Sequence, residues 1–369
     1  MSARPVLIMA GGTGGHVFPA LALARLLRSN SRAVVWLGTR RGLEARVVPE
    51  EGIPIEWLSV GGLRGKGLLT LLAAPFQLLR ALVQALSIVR RHSPAVVVGL
   101  GGFVTGPGGL AAWLCRRPLV IHEQNAIAGF TNRCLAPLAR EVLCAFPSAF
   151  PPRTGARVIG NPVRADIVAL PSPAQRFAGR AGPIRLLVVG GSLGAARLNA
   201  TVPQALAVMH KDAGMAAGPA LRFTIRHQAG VNHIESARAA YDGAGVKAEV
   251  TPFIGDMAEA LGWADLVICR AGALTIAELA AAGLGALLVP YPHAVDDHQT
   301  YNAQYLVAAG AARCIADRDL TAELLAAQLR ELCADRAQLL AMAEAARRVA
   351  HPDAAGELLR SCLAAEAAA

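Results

Sequence analysis

Two glycine-rich turns, Gly11-Gly12-Thr13-Gly14-Gly15-His16 and Gly190-Gly191-Ser192-Leu193-Gly194, each stand between an apolar run and a helical pattern. Glycine lets backbone N–H groups approach an anion, and the positive end of the following helix adds to the attraction. The pair suggests phosphate recognition, although each turn would also serve as a tight strand-to-helix corner that holds nothing. The G-x-G-x-x-G spacing fails in 11–19, and the second strand runs into Gly38-Thr39-Arg40, where NAD binding asks for an acid. Arg40 and Arg41 would suit a 2′-phosphate, so an NADP enzyme survives as a minor alternative. A Walker A loop fails at 61–67, because Val60 replaces its first glycine and Gly67 its Ser/Thr. His122-Glu123 begins like a zinc-protease helix but lacks the second histidine and lies at a strand end, so no zinc site follows.

The second half carries a richer constellation. Cys269-Arg-Ala-Gly-Ala-Leu-Thr-Ile-Ala-Glu278 passes from a strand into a helix and offers free N–H groups to a phosphate or sugar oxygen. Glu278 falls one turn into that helix, where a carboxylate accepts both hydroxyls of a ribose or simply complements the helix dipole. The loop 290–302 is dense in hydrogen-bonding side chains. Its Asp296, Asp297 and His298 read as helix capping before they read as a metal cluster.

Short β-branched runs alternating with helical patterns must position these groups. Strands are expected at 5–10, 33–37, 53–57, 95–98, 119–122 and 141–145, and a second series at 184–189, 222–226, 249–252, 266–269 and 286–289. Runs with little polar alternation fit parallel sheets covered on both faces. The first helix is expected over 17–28. Both series open with strand, glycine turn and helix, which predicts an α/β chain of two Rossmann-like halves. The Pro/Gly-rich stretch 147–183 reads as the linker, and the chain is helical from 321 onward.

The chain of 369 residues is long enough for two domains at ~150 residues each, and 54% apolar residues exclude disorder. Seven cysteines, without a C-x-x-C or a zinc-type cluster, read as reduced and mostly buried thiols of a cytoplasmic protein. A secretory signal is not expected, because the N-terminus leads straight into a strand-like run. A net charge of +10 points to an anionic partner: nucleic acid, a phosphorylated metabolite or a membrane face. Aromatic residues are only 5% and do not interleave with basic ones, so no nucleic-acid partner is expected. Residues 68–89 carry one charge, Arg80, yet Pro75 interrupts them, and Gln77, Arg80, Gln84 and Ser87 make a polar stripe. That pattern favours an amphipathic surface helix over a span, with Arg64, Lys66, Arg80, Arg90 and Arg91 suited to anionic headgroups. A helix packed only on its own sheet is the plainer alternative.

In chain order, GGTGGHVFPALALA, GGLRGKG, GLGGFVTGPGG, HEQNAIAG, GNPVR, GGSLGA, CRAGALTIAE and DDHQTYNA together resemble the bacterial MurG-type N-acetylglucosaminyltransferases. These convert lipid I into lipid II in peptidoglycan synthesis. The resemblance covers essentially the whole chain. It implies a GT-B fold, with two Rossmann-like domains flanking a cleft. The acceptor- and membrane-facing domain would span 1–163, joined by a C-terminal helix at about 345–369. The UDP-GlcNAc domain would span 164–344.

By the same resemblance, Ser192 contacts the diphosphate and Arg164 fixes the donor. Ile254 presents backbone groups to uracil and Glu278 binds the ribose. Ala273, Leu274, Thr275, Ile276 and Ala277 give backbone contacts, Gln299 and Asn125 read the sugar, and Thr13, Gly14 and Gly15 close from the first domain. His16 is the candidate base, since its near-neutral titration suits the task, and a structural cap is its alternative role. Leu193, Ala271 and Gly255 stand where the family commonly has Gln, Ser and a polar residue. Leu193 puts one donor contact in doubt. The implied reaction is inverting: the C4 hydroxyl of MurNAc in undecaprenyl-pyrophosphoryl-MurNAc-pentapeptide attacks C1 of GlcNAc. No cofactor is tightly bound, no metal ligand is assigned, and a divalent cation is left open. The implied location is peripheral, on the cytoplasmic side of the inner membrane, held through 64–91. A non-hydrolysing sugar-nucleotide epimerase and a membrane-binding scaffold with degenerate loops are the competing functions.

Overall fold

A computed structural model describes residues 4–61, 68–191, 194–213, 221–292, 294 and 297–368. In chain order the first unit contains β1 Val6–Met9, α1 Gly14–Ser29, β2 Val34–Gly38, α2 Glu44–Glu50, β3 Ile55–Trp57 and α3 Leu68–His92. It continues with β4 Val96–Gly99, α4 Thr105–Leu114, β5 Leu119–Glu123, α5 Phe130–Leu135, β6 Glu141–Cys144 and β7 Arg157–Val158. All seven strands are parallel, in the order β3-β2-β1-β4-β5-β6-β7. Strand periodicity explains why β1 is apolar at every position. Val6 and Ile8 enter a cluster with Val17, Leu23 and Leu27 of α1, while Leu7 and Met9 face Ala85, Ile88 and Val89 of α3 and Ala111 of α4.

The second unit contains α6 Ala165–Val168, α7 Pro173–Phe177, β8 Ile184–Val189, α8 Ala196–Ala213, β9 Phe223–Gln228, α9 Ile234–Ala244, β10 Glu249–Thr251 and α10 Met257–Trp263. Then come β11 Leu266–Cys269, α11 Ala273–Ala282, β12 Ala286–Leu288, α12 His298–Ala308, β13 Ala312–Cys314, α13 Ala322–Cys333 and α14 Arg336–Arg348. Its six parallel strands run β10-β9-β8-β11-β12-β13. In both sheets the strand that precedes the glycine turn, β1 or β8, lies centrally, so the turns emerge from the carboxyl ends of inner strands. This is the α/β, GT-B-type duplication the sequence suggests.

Four expectations shift. The units divide at Val163/Arg164, as expected, but the linker reading of 147–183 is too wide, because that stretch carries β7, α6 and α7. β7 completes the first sheet, and Ser172 with Gln175 forms a capping box on α7, which packs with α14. The prolines and glycines there mark changes of direction. The strands β7 and β13, of two and three residues, are too short to show a periodicity. The helix expected at 345–369 is two helices. α14 ends at Arg348 and stays in the second unit, the chain returns at Pro352, and α15 (Ala354–Ala367) docks on α1. There Leu358, Cys362 and Ala365 are buried, and Arg157 pairs with Glu357 at 2.6 Å.

The helix expected at 68–89 continues to His92 through Pro75. Among the described residues, no helix is long and apolar enough to cross a membrane. Ala81, Ala85, Ile88 and Val89 are buried, whereas Phe76, Leu79 and Val83 lie exposed at helical spacing beside Arg80.

Candidate active site

In the first unit, Thr13 is the extended N-cap of α1, and its hydroxyl makes no cap bond. Gly14 and Gly15 are the first two residues of the helix, and His16 lies half-buried on its first turn. Beneath them Glu44 is fully buried. It accepts the Gly12 N–H at 2.9 Å, the Thr39 N–H at 2.9 Å and the Thr39 hydroxyl at 2.8 Å. The first glycine turn therefore already holds an anion, the protein's own carboxylate. A phosphate on Gly12 would compete with that carboxylate for the N–H, and its charge would oppose it. The two glycine turns are not equivalent phosphate cradles.

The loop after β4 closes on this turn. Gly101 and Gly102 have φ of +104° and +85°, which side-chain-bearing residues rarely adopt. A Cβ at Gly101 would stand 2.4 Å from His16 Nδ1, and one at Gly102 2.4 Å from the Gly11 carbonyl oxygen. After β5, buried Glu123 organises the HEQN segment. One of its oxygens accepts from the Asn125 N–H at 3.0 Å and Nδ2 at 3.3 Å, and the other from the Gly129 N–H at 3.0 Å and Asn132 Nδ2 at 2.8 Å. Gln124 lies between His16 and His122: Oε1 is 3.0 Å from His16 Nδ1, and Nε2 is 3.2 Å from His122 Nδ1. Burial lowers the His122 pKa to about 4, against smaller opposing effects of the Gly160 carbonyl and Glu123. It is neutral at ordinary pH.

In the second unit, buried Gln228 donates to the Gly191 carbonyl at 2.9 Å and the Pro252 carbonyl at 3.3 Å. This ties the second glycine turn to the loop that carries half-buried Ile254. His227, buried, with its pKa lowered to about 4 by desolvation, bridges Tyr241 and Asn199, and Asn199 holds the Ala229 carbonyl. Ser192 and Leu193 lie outside the described residues.

α11 begins at Ala273, with Gly272 as an extended N-cap. Leu274, Thr275 and Ala277 are partly open and Ile276 is buried. Glu278 falls in the second turn, beyond the reach of most of the helix-dipole effect. Its side chain keeps 25% exposure, and Arg164, extended at the N-cap of α6, is 3.7 Å away. Among the described residues its carboxylate accepts no hydrogen bond. Burial raises its pKa to about 7; Arg164 opposes the shift and Asp166 adds to it.

Gln299 is more constrained than a sugar-reading amide needs to be. Its Oε1 accepts from the Ala271 N–H at 3.1 Å and the Tyr291 N–H at 2.9 Å, which fixes the orientation of its amide. Asp296 lies outside the described residues, and Asp297 accepts the Thr300 hydroxyl at 2.8 Å. No group of three His, Cys, Asp or Glu placed to hold a metal occurs among the described residues.

Sequence reasoning assigned no role to Gln124, Glu123, Glu44 or Gly101. Three of these lie in motifs already singled out, and paired glycines after β4 are a visible signal of close approach. Glu44 carries none, because it acts on a turn 32 positions away.

Comparisons with known proteins identify the family. Residues 6–144 match the glycosyltransferase family 28 N-terminal domain and 185–358 its C-terminal domain. The UDP-N-acetylglucosamine–N-acetylmuramyl-(pentapeptide) pyrophosphoryl-undecaprenol N-acetylglucosamine transferase of Marinobacter nauticus is 57% identical over 91% of both chains. The enzyme of the same name from Alkalilimnicola ehrlichii is 59% identical, again over 91% of each. The crystal structure of Acinetobacter baumannii MurG superposes with a TM-score of 0.85 at 41% identity, covering 98% of this chain and 99% of that one. Identity of this order over nine-tenths of the chain, with matches to both family 28 domains, places the chain in the MurG family of N-acetylglucosamine transferases.

Proposed function

We propose that this protein transfers GlcNAc from UDP-GlcNAc to the C4 hydroxyl of lipid-linked MurNAc-pentapeptide, converting lipid I to lipid II with inversion at C1. The observation that carries this is 57% identity, over 91% of both chains, to a transferase so named. The second unit takes the donor. Glu278, a largely enclosed carboxylate without a hydrogen bond among the described residues, suits the two ribose hydroxyls, and Ile254 offers backbone groups to uracil. Ser192, Arg164 and the N-terminal turn of α11 at Ala273, Leu274, Thr275, Ile276 and Ala277 stabilise the departing diphosphate, since N–H groups and a guanidinium meet its developing charge.

The first unit takes the acceptor. His16 removes the C4 proton as the hydroxyl attacks C1 from the face opposite UDP. Asn125 and the Gln299 NH2 read the sugar hydroxyls, and Thr13, Gly14 and Gly15 border them. The polyprenyl tail of the acceptor requires work at a membrane surface, on its cytoplasmic side. Exposed Phe76, Leu79 and Val83 beside Arg80 and Arg90 suit an anionic leaflet, each basic residue contributing ~1 kcal/mol. Arg91 pairs with Glu56 at 2.6 Å and contributes less, and Arg64 and Lys66 lie outside the described residues. Titration calorimetry tests the donor site. UDP-GlcNAc binds, and Glu278→Ala weakens it by ~1–3 kcal/mol through unpaired hydroxyls. Absence of binding heat would favour a scaffold without activity, and an unchanged affinity in the variant would remove Glu278 from the ribose.

A further inference from the structure

We infer that His122 and Gln124 form a relay that sets the tautomer of His16, directing its unprotonated nitrogen, Nε2, to the acceptor hydroxyl. This rests on the reading of His16 as the base, and it assigns two positioning residues behind it. The chain of donors begins at a group with one possible role. The Gly160 carbonyl can only accept, and His122 Nε2 lies 2.9 Å from it, so the single N–H of a neutral His122 is on Nε2. His122 Nδ1 is then a lone pair. The group 3.2 Å from it, Gln124 Nε2, must donate.

The amide orientation is specified twice, because the same Nε2 also lies 3.4 Å from the His122 carbonyl oxygen. Turning the amide over would set its oxygen against two acceptors. The Gln124 backbone carbonyl is held in turn by Asn161 Nδ2 at 3.0 Å, and Gln124 is 1% exposed. Its Oε1, 3.0 Å from His16 Nδ1, therefore accepts, and His16 carries its proton on Nδ1. The lone pair that can take a proton is left on Nε2. Gly101 allows the arrangement, since a Cβ there would occupy the space of the His16 ring. The low basicity of His122 keeps it neutral and singly protonated near neutral pH.

The logic is that of a catalytic histidine oriented by a third group, with an amide and a second imidazole in place of a carboxylate. A carboxylate would also favour the imidazolium; an amide fixes the tautomer with little effect on basicity.

The test is 15N NMR of the intact protein labelled at histidine, with the His16 signals assigned by their loss in His16→Gln. The expected spectrum shows His16 protonated on Nδ1 above its pKa. A protonated Nε2 overturns the relay without any variant having to fold. Gln124→Leu should then mix the tautomers and lower kcat by ~10–100-fold, as expected for a misplaced reacting group, with the KM for UDP-GlcNAc within about twofold. Gln124→Glu keeps an acceptor facing Nδ1. It should restore the Nδ1–H tautomer and most of the turnover, and move the acidic limb of kcat to higher pH. If His16→Ala abolishes turnover while Gln124→Leu changes neither tautomer nor kcat, the relay is wrong and the base stands. If His16→Ala keeps turnover within tenfold, the base itself is wrong.

Discussion

Glu44→Ala should destabilise the first unit by about 3–5 kcal/mol. The carboxylate is fully buried and satisfies three donors, two backbone N–H groups and the Thr39 hydroxyl. A hydrogen bond to a charged group contributes about 1.5–3 kcal/mol, and a buried donor left unmet costs about 1–3 kcal/mol. Gly12 is exposed and can turn its N–H to water, which reduces the total below three full penalties. Glu44→Gln retains the shape but presents an NH2 to one of the donors, and about 2 kcal/mol is expected. The assay is urea unfolding followed by tryptophan fluorescence. Trp36, fully buried and donating to the Ala10 carbonyl at 2.9 Å, reports on this unit. At roughly 2–4 °C per kcal/mol for a unit of this size, the alanine variant should melt about 6–20 °C lower. Because the turn carries Thr13 and His16, turnover should fall as well, with UDP-GlcNAc affinity kept by the second unit. Stability of both variants within about 0.5 kcal/mol of the parent would refute the claim that a carboxylate braces this turn.

Stability should fall as pH drops from about 6.5 toward 4. His122 and His227, both near pKa 4 when folded, stay neutral while the unfolded chain takes up their protons. Each contributes on the order of 3 kcal/mol across that window. Glu278 acts in the opposite sense. Its raised pKa gives stability that is full below the unfolded value and lost as pH rises through about 7, so Glu278→Gln should steepen the acid loss seen in denaturant titrations. Gly101→Ala should cost about 2 kcal/mol and at least tenfold in turnover, because φ is +104° and its Cβ meets His16; a variant of normal activity would remove the packing argument. Arg80→Glu with Arg90→Glu should lower binding to anionic vesicles, which added salt should also weaken. Binding insensitive to both changes would mean that α3 only packs on its own sheet.

Long-range consequences were the least legible part of the sequence. Runs such as Val6–Met9 and Ile184–Val189 announce strands because both faces of a parallel sheet are apolar, and their bounds follow closely. Turns at 160–164 and 349–353 defeated the linker and C-terminal helix boundaries, because proline and glycine mark a change of direction equally inside a domain and between domains. At the site, Glu278 and His16 were visible from their place after a strand and a turn. Gln124 was inside a recognised motif, but its role depends on a neutral His122, and neutrality follows from burial that no local spacing shows. Glu44 was invisible for the same reason: a helix-start glutamate looks like dipole complementation until its fold neighbours are known.

The most direct measurement is a single-turnover reaction of the intact protein with sugar-labelled UDP-GlcNAc and a lipid I analogue, read by lipid extraction and by the C1–H1 coupling of the product. The label should enter the lipid fraction joined to O4 of MurNAc, with inverted configuration at C1. Label that stays on the nucleotide as an epimerised sugar, or that reaches the acceptor with retained configuration, would contradict the account.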